Sequence, residues 1–278
     1  MDFAGLFRVA MSDDDDSSSC EPYPCQETFA ADANLRRFLN LPTGAGKTAT
    51  AGLGWLYRRR FHPDENVRRA TPRRLVYCLP MRVLVEQTRE CLSLWLDRLG
   101  LLADEPGDDS PASGWAAKQA GVANGVGDGS AAKRIAVSVL MGGEDADQWF
   151  LHPERDAVLI GTQDMLLSRA LNRGYAAGRF HWPIDFGLLN SDCLWVFDEP
   201  QLMGSGVSTS AQMAGLRQLL GTASNCPSVW MSATLEPEWL NTVDFAGAET
   251  LGSEATLELG EHATGDDLDP ARSLHGRM

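Results

Sequence analysis

The run Leu41-Pro42-Thr43-Gly44-Ala45-Gly46-Lys47-Thr48 combines residue types suited to holding a polyphosphate. Gly44 and Gly46 permit a tight turn, so that backbone N–H groups at a helix start converge on an anion. Lys47 supplies a point charge for the outer phosphates and Thr48 a hydroxyl for Mg²⁺, while Pro42, Thr43 and Ala45 complete the loop. A strict phosphate loop of the Walker A type has Gly where this chain has Leu41, so the match is to a Pro-Thr-Gly-x-Gly-Lys-Thr variant. The chemistry implied is binding of ATP with Mg²⁺. The alternative is a glycine-rich turn that binds nothing.

Two later runs offer partners. Leu194-Trp195-Val196-Phe197 is an apolar strand that ends in Asp198-Glu199-Pro200-Gln201. In an open parallel sheet ligands sit at the carboxyl ends of strands, so Asp198 is placed to hold Mg²⁺ and Glu199 to polarise an attacking water. Ser232-Ala233-Thr234 follows a further apolar strand and sets two hydroxyls at its end. They either bond to the loop of Asp198 to Gln201, linking nucleotide state to movement, or satisfy a turn.

These groups need a scaffold of alternating strands and helices. Strands are expected at 38–41, 74–79, 135–141, 157–161, 194–197 and 228–231, with helices at 48–60, 81–99 and 163–172. Short Val/Ile/Leu-rich strands that do not alternate fit a mostly parallel sheet covered on both faces. The expected organisation is a disordered acidic tail over 1–21, an ATP-binding domain over 22–250 with a flexible insertion at 102–133, and an acidic tail or truncated start of a second domain over 251–278. The acidic stretch Asp13 to Asp16 and the Gly/Ala/Asp-rich insertion motivate two of those boundaries.

The chain has 278 residues, 44% of them hydrophobic, which is enough for a full α/β core. No run approaches a membrane span and the N-terminus lacks the regions of a signal peptide, so a cytoplasmic location with no membrane partner is expected. A net charge of −14 argues against strongly basic nucleic-acid binding. The basic groups Arg58-Arg59-Arg60, Arg68-Arg69 and Arg73-Arg74 read as solvated faces, with phosphate contact as the other option. Among six cysteines no Cys-x-x-Cys pair occurs, and no metal site is assigned to them.

Taken in order, the Lys47 loop, Asp198-Glu199-x-Gln201 and Ser232-Ala233-Thr234 resemble the first RecA-like domain of a superfamily-2, DExH-like helicase. More narrowly, His152 to Arg169 and Asp198-Glu199-Pro200-Gln201-Leu202-Met203 resemble the CRISPR-associated helicase-nuclease of type I systems, in its I-U (I-G) branch. The similarity runs from Tyr23 to Asp244. It implies an α/β RecA-like P-loop fold and the ATP-binding half of a DNA helicase of an antiviral defence system. It also implies single-stranded DNA and a CRISPR effector complex as partners. By the same resemblance Gln26 reads adenine, unless it is an ordinary exposed loop glutamine. Pro80 and Arg82, and then Gly161 and Thr162, become nucleic-acid contacts, although Arg82 has the alternative of bracing its helix.

The chain also departs from that family. Pro200 replaces a small or branched apolar residue and is expected to bias Glu199 toward extended backbone. Nothing after Leu251 resembles a second RecA-like domain with its arginine finger, so the enzyme is expected to be incomplete unless a separate chain carries that domain and the nuclease. His62, His152, His181, His262 and His275 show no ligand spacing, and no nuclease site is expected. The competing reading is a truncated module that binds nucleotide or a partner without meaningful turnover.

Overall fold

The computed structural model describes residues 2–12, 20–122, 133–142, 148–174, 177–234, 236–250 and 256–258. Seven strands, β1 (Phe38–Asn40), β2 (Arg74–Leu79), β3 (Ala136–Leu140), β4 (Ala157–Thr162), β5 (Cys193–Asp198), β6 (Ser228–Ser232) and β7 (Thr256–Glu258), form one sheet in the order β3-β4-β2-β5-β6-β1-β7. Every pairing is parallel. All carboxyl ends therefore lie on one edge, where Asp198 and Ser232 emerge together with the loop that follows Asn40.

Both faces of the sheet are buried. Leu39, Leu75, Tyr77, Val158, Ile160, Val196, Val229 and Met231 pack on one side, under α1 (Phe3–Met11), α2 (Pro24–Ala31), α3 (Lys47–Leu56) and, beyond the short α4 (Glu65–Ala70), α5 (Arg82–Arg98). Phe38, Val76, Cys78, Leu159, Trp195, Phe197 and Trp230 fill the other side. After α6 (Gly114–Val122), that side is covered by α7 (Gln163–Ala170), α8 (Trp182–Leu189) and α9 (Ser205–Leu220); the short α10 (Gly247–Thr250) follows. Neighbouring positions of one strand thus face opposite cores, which is why the strands read as unbroken apolar runs. Trp195, Phe197 and Trp230 stack with centroids 5.5 and 5.9 Å apart. The two indole N–H groups donate to Leu189 O at 2.8 Å and Ser210 Oγ at 2.9 Å, so burial leaves no donor unpaired there.

Several expectations are corrected. Residues 3–11 are not a disordered tail. Asp2 caps the helix by accepting from Gly5 N, and Phe3, Leu6, Phe7 and Ala10, at helical spacing, are buried in the main core. The acidic run at 13–19 lies outside the described residues. The first part of the 102–133 insertion is structured, with bridges Leu102 to Ile135 and Pro111 to Lys133, helix α6, and a Trp115–Phe61 edge contact at 5.6 Å. Residues 123–132 lie outside the described part. Within the expected 251–278 tail, β7 pairs with β1, so the sheet extends past the expected domain limit; 251–255 and 259–278 are outside the described residues.

The arginine pairs are also not solvated faces throughout. Arg58, Arg60 and Arg74 are buried. Arg59 and Arg60 clamp Asp156 at 3.0 and 2.8 Å, and Arg58 donates to the carbonyls of Phe29 and Ala33 at 3.0 and 3.1 Å. Charges desolvated to this degree require such partners. Among the described residues no helix is long and apolar enough to cross a membrane.

Candidate nucleotide-binding site

The phosphate-type loop connects β1 to α3, with Gly44 and Gly46 at φ 89° and 69°. Only glycine takes these values without strain. A side chain on Gly46 would also meet Gln26 Nε2 at 2.6 Å. Ala45 N donates to Pro42 O at 3.2 Å, Ala45 is buried, and Thr43 is exposed at the loop tip. The first-turn amides of α3 have no intrahelical acceptor, which leaves them available to an anion.

Two strands away, Glu199 is set by backbone as much as by side chain. Its N–H donates to Met231 O at 3.1 Å, while Leu41 N donates to Ser232 O at 3.0 Å. β6 therefore pins the phosphate loop and the acidic loop to each other. Glu199 adopts φ 50° and ψ 49°, the left-handed region. The expected extended backbone before Pro200 is thus corrected. Pro200 starts a 3₁₀ turn, with Leu202 N donating to Glu199 O at 2.9 Å and Met203 N to Pro200 O at 2.8 Å. Proline suits the first position of such a turn because its missing N–H is not needed there. The side-chain bonds described next hold Glu199 in its strained conformation.

Lys47 Nζ lies 2.6 Å from Glu199 Oε1 and is nearly buried. The second Glu199 oxygen accepts from Gln201 Nε2 at 2.5 Å. Gln201 Oε1 accepts from Ser232 Oγ at 2.8 Å, and Ser232 Oγ accepts from Thr234 N at 3.0 Å. A single chain of bonds thus runs from Lys47 through Glu199 and Gln201 to Ser232 and Thr234. Ala233 and Thr234 are exposed beyond it, and among the described residues the Ser232 hydroxyl, of the two expected, reaches the acidic loop.

Asp198 ends β5 fully inside the protein. Burial pushes its carboxyl up to about 6, against the pull of Lys47. Oδ2 accepts from the Tyr77 hydroxyl at 3.0 Å, whereas Oδ1 is buried with no hydrogen-bond partner among the described residues. The Tyr77 hydroxyl is also in hydrogen-bonding contact with Thr48, and burial, then the Asp198 charge, hold that phenol well above its usual value. A divalent cation fits this set. It would satisfy the orphaned Oδ1, and the Thr48 hydroxyl lies in the same cluster.

Tyr77 escaped the sequence reading, because nothing in the order of residues says that β2 lies beside β5 with Tyr77 opposite Val196. Gln26 lies in the first turn of α2, not in a loop. It is buried, accepts from Tyr23 N at 2.9 Å, and donates to Gly46 O at 3.3 Å, bracing the phosphate loop. The exposed-loop alternative is therefore corrected.

The four expected nucleic-acid contacts fall on the neighbouring half of the same edge. Leu79 pairs with Thr162, so Pro80 and Arg82 lie beside Gly161 and Thr162. Arg82 is exposed and makes no side-chain bond among the described residues, so it does not brace its helix. Gly161 and Thr162 are buried, and a side chain on Gly161 would strike Leu140 O at 2.4 Å.

No protein-family model matches the sequence, and no curated protein matches it. Solved structures do. The DUF1998 helicase MrfA bound to DNA aligns over 91% of this chain and 27% of its own, with a TM-score of 0.50 and 15% identity. The DEAD-box helicase Mss116 bound to single-stranded RNA and UDP-BeF aligns over 86% of this chain and 40% of its own, with a TM-score of 0.49 and 15% identity. The yeast DEAD-box splicing factor Prp28 gives 86%, 45%, 0.48 and 16% in the same order. This chain spans less than half the length of each. The seven-stranded parallel sheet and the MrfA match together define an α/β, RecA-like fold.

Proposed function

We propose that the chain is the ATP-binding RecA-like half of an ATP-dependent DNA helicase, working in a CRISPR antiviral defence system. In this reading it couples ATP hydrolysis to movement on single-stranded DNA once a second RecA-like domain completes it. The observation that carries the nucleotide part is the bond chain from Lys47 through Glu199 and Gln201 to Ser232. Lys47 holds Glu199 in the absence of phosphate. Incoming β- and γ-phosphates compete for the ammonium, and Lys47 must release Glu199 to meet them. Freed, Glu199 orients a water toward the γ-phosphate, and its altered bond to Gln201 is felt by Ser232 on the next strand. Thr48 and Asp198 would hold Mg²⁺, which when bound supplies neutralising charge for the phosphate oxygens. In this reading Gln26 reads adenine, and its bond to Gly46 O supports the role by tying it to the phosphate loop.

The DNA part is supported by exposed Arg82 beside the nucleotide half of the edge. The CRISPR assignment is supported by the resemblance of residues 152–169 and 198–203 to the type I helicase-nucleases. An effector complex, and a separate chain bearing the second domain and the nuclease, are the corresponding partners.

A second reading, a nucleotide-binding module without meaningful turnover, is favoured by the same Lys47–Glu199 pair, since each group neutralises the other. ATP turnover by the purified chain, with and without single-stranded DNA and with Lys47→Ala as the blank, separates them. Turnover above the blank that DNA stimulates supports the helicase reading. Binding of nucleotide with turnover at the blank supports the module. Failure to bind nucleotide at all overturns both.

A further inference from the structure

At the opposite edge of the sheet, Cys193 begins β5 and Cys226 leads into β6. Trp195 pairs with Ser228 and its N–H donates to Pro227 O at 3.0 Å, which brings Cys193, at the start of β5, next to Cys226, just before β6. Their sulfurs sit on neighbouring carbonyls at the end of α8, Cys193 Sγ donating to Leu188 O at 3.1 Å and Cys226 Sγ to Leu189 O at 3.7 Å. Adjacent parallel strands lie about 4.8 Å apart, inside the Cα range that a disulfide spans.

Two arginines face these sulfurs. Arg74 from β2 donates Nε to Cys193 Sγ at 3.4 Å, and its other nitrogens serve the carbonyls of Pro153, Leu188 and Ser191. Arg217 from α9 lies over the Trp195 ring at 5.0 Å and donates to Asn190 Oδ1 at 2.9 Å. Its Nη2 is buried with no partner among the described residues. Both guanidiniums are buried, and neither forms an ion pair with a carboxylate among the described residues. Two desolvated cations without an anion are costly, and the groups beside them that can become anionic are the thiols. The neighbouring Cys193 thiol, then Arg217, holds the Cys226 thiol below its usual value, while burial holds Cys193 above. Cys226 also lies next to the exposed loop 221–225, where a small reagent can arrive.

We propose that Cys193 and Cys226 form a redox-active dithiol that closes to an intrachain disulfide with hydroperoxides, Cys226 being the attacking thiolate. The Cys226 sulfur attacks one peroxide oxygen and breaks the O–O bond, giving a sulfenic acid and hydroxide. Cys193 then loses its proton and attacks the sulfenic sulfur, expelling a second hydroxide. Two thiols and one hydrogen peroxide become one disulfide and two waters; both sulfurs are oxidised and both peroxide oxygens reduced. Arg217 stabilises the thiolate and thereby sets the rate of the first step. This dithiol stands apart from the nucleotide site and from any turnover there.

The test is peptide mapping by mass spectrometry of the full chain, treated with hydrogen peroxide under native conditions and then alkylated. The expected product is one linked peptide pair, Cys193 with Cys226, lighter by two hydrogens and restored by dithiothreitol. Arg217→Met is expected to slow its formation by about tenfold through loss of thiolate. The proposal is overturned if both cysteines remain fully alkylatable after peroxide, or if either pairs instead with Cys20 or Cys91. It is equally overturned if the link forms only after denaturation. The wild-type map decides these outcomes even if the Arg217 variant does not fold.

Discussion

Lys47 and Glu199 lie 2.6 Å apart across the site, the cation for phosphate directly bonded to the carboxylate for water. Removing the carboxylate frees the lysine without harming the loop. Glu199→Gln is therefore expected to keep nucleotide binding while lowering any ATP turnover by roughly 10²- to 10⁴-fold. Fluorescent-nucleotide titration beside a phosphate-release assay measures both. Loss of binding in this variant would mean that the pair builds the loop and does not merely restrain it.

Asp198 makes a pH-dependent contribution of definite sign. Its carboxyl is raised from 3.8 to about 6 by burial, so the native state holds the proton over a range where the unfolded chain has lost it. The resulting stability is full below the unfolded value and is lost as pH rises through the window from 3.8 to about 6. Asp198→Asn, neutral throughout, is expected to exceed the wild type by about 3 kcal/mol at neutral pH without ligand, and to lose the advantage in acid. Denaturant unfolding of both proteins on either side of the window provides the comparison. The variant should also lose stabilisation by MgATP. Equal stabilities at all pH values would show that Asp198 is not buried in its charged form.

Ser232 Oγ is shared between Gln201 Oε1 and Thr234 N. Ser232→Ala deletes both bonds and is expected to cost about 1 kcal/mol of stability, since both bonds are partly shielded from water. It should leave nucleotide affinity near the wild-type value while lowering the stimulation of turnover by DNA. An unchanged stimulation ratio would remove Ser232 from the coupling path.

Leu6 and Phe7 of α1 are buried in the main core. Leu6→Ala is expected to destabilise the protein by about 2–5 kcal/mol, read as a lower urea midpoint with unchanged slope. A midpoint equal to that of the wild type would restore the view of residues 3–11 as a dispensable tail.

Gly46 has no room and no conformational latitude for a side chain, with φ 69° and Gln26 Nε2 2.6 Å from the place of a Cβ. Gly46→Ala is expected to cost about 1–2 kcal/mol from the left-handed backbone alone, and to weaken nucleotide binding as the loop moves off Gln26. Calorimetric titration with ADP measures the second effect. Wild-type affinity would dissociate the Gln26 brace from the shape of the loop.

The linear order of residues carried a large part of this structure. Arg74 to Leu79 is legible as a buried strand because the apolar run Leu75 to Leu79, with Val76 and Tyr77 inside it, stands between Pro72 and Pro80, and β2 has those bounds. The phosphate loop, Asp198-Glu199 and Ser232 are legible because each function depends on residues adjacent in the chain, so spacing alone exposes it. What only the tertiary structure decided is non-local. Sheet order puts Tyr77 against Asp198 and Leu79 against Thr162. α1 is too short to hold its helix in water and orders only because the core accepts Phe3, Leu6 and Phe7. The same holds for charge. Arg58, Arg60 and Arg74 read as surface cations until folding supplies Asp156 and a set of carbonyls from distant segments to receive them. Glu199 takes left-handed backbone before Pro200 because Lys47, Gln201 and Met231 O hold it there, outweighing the local preference for extended backbone.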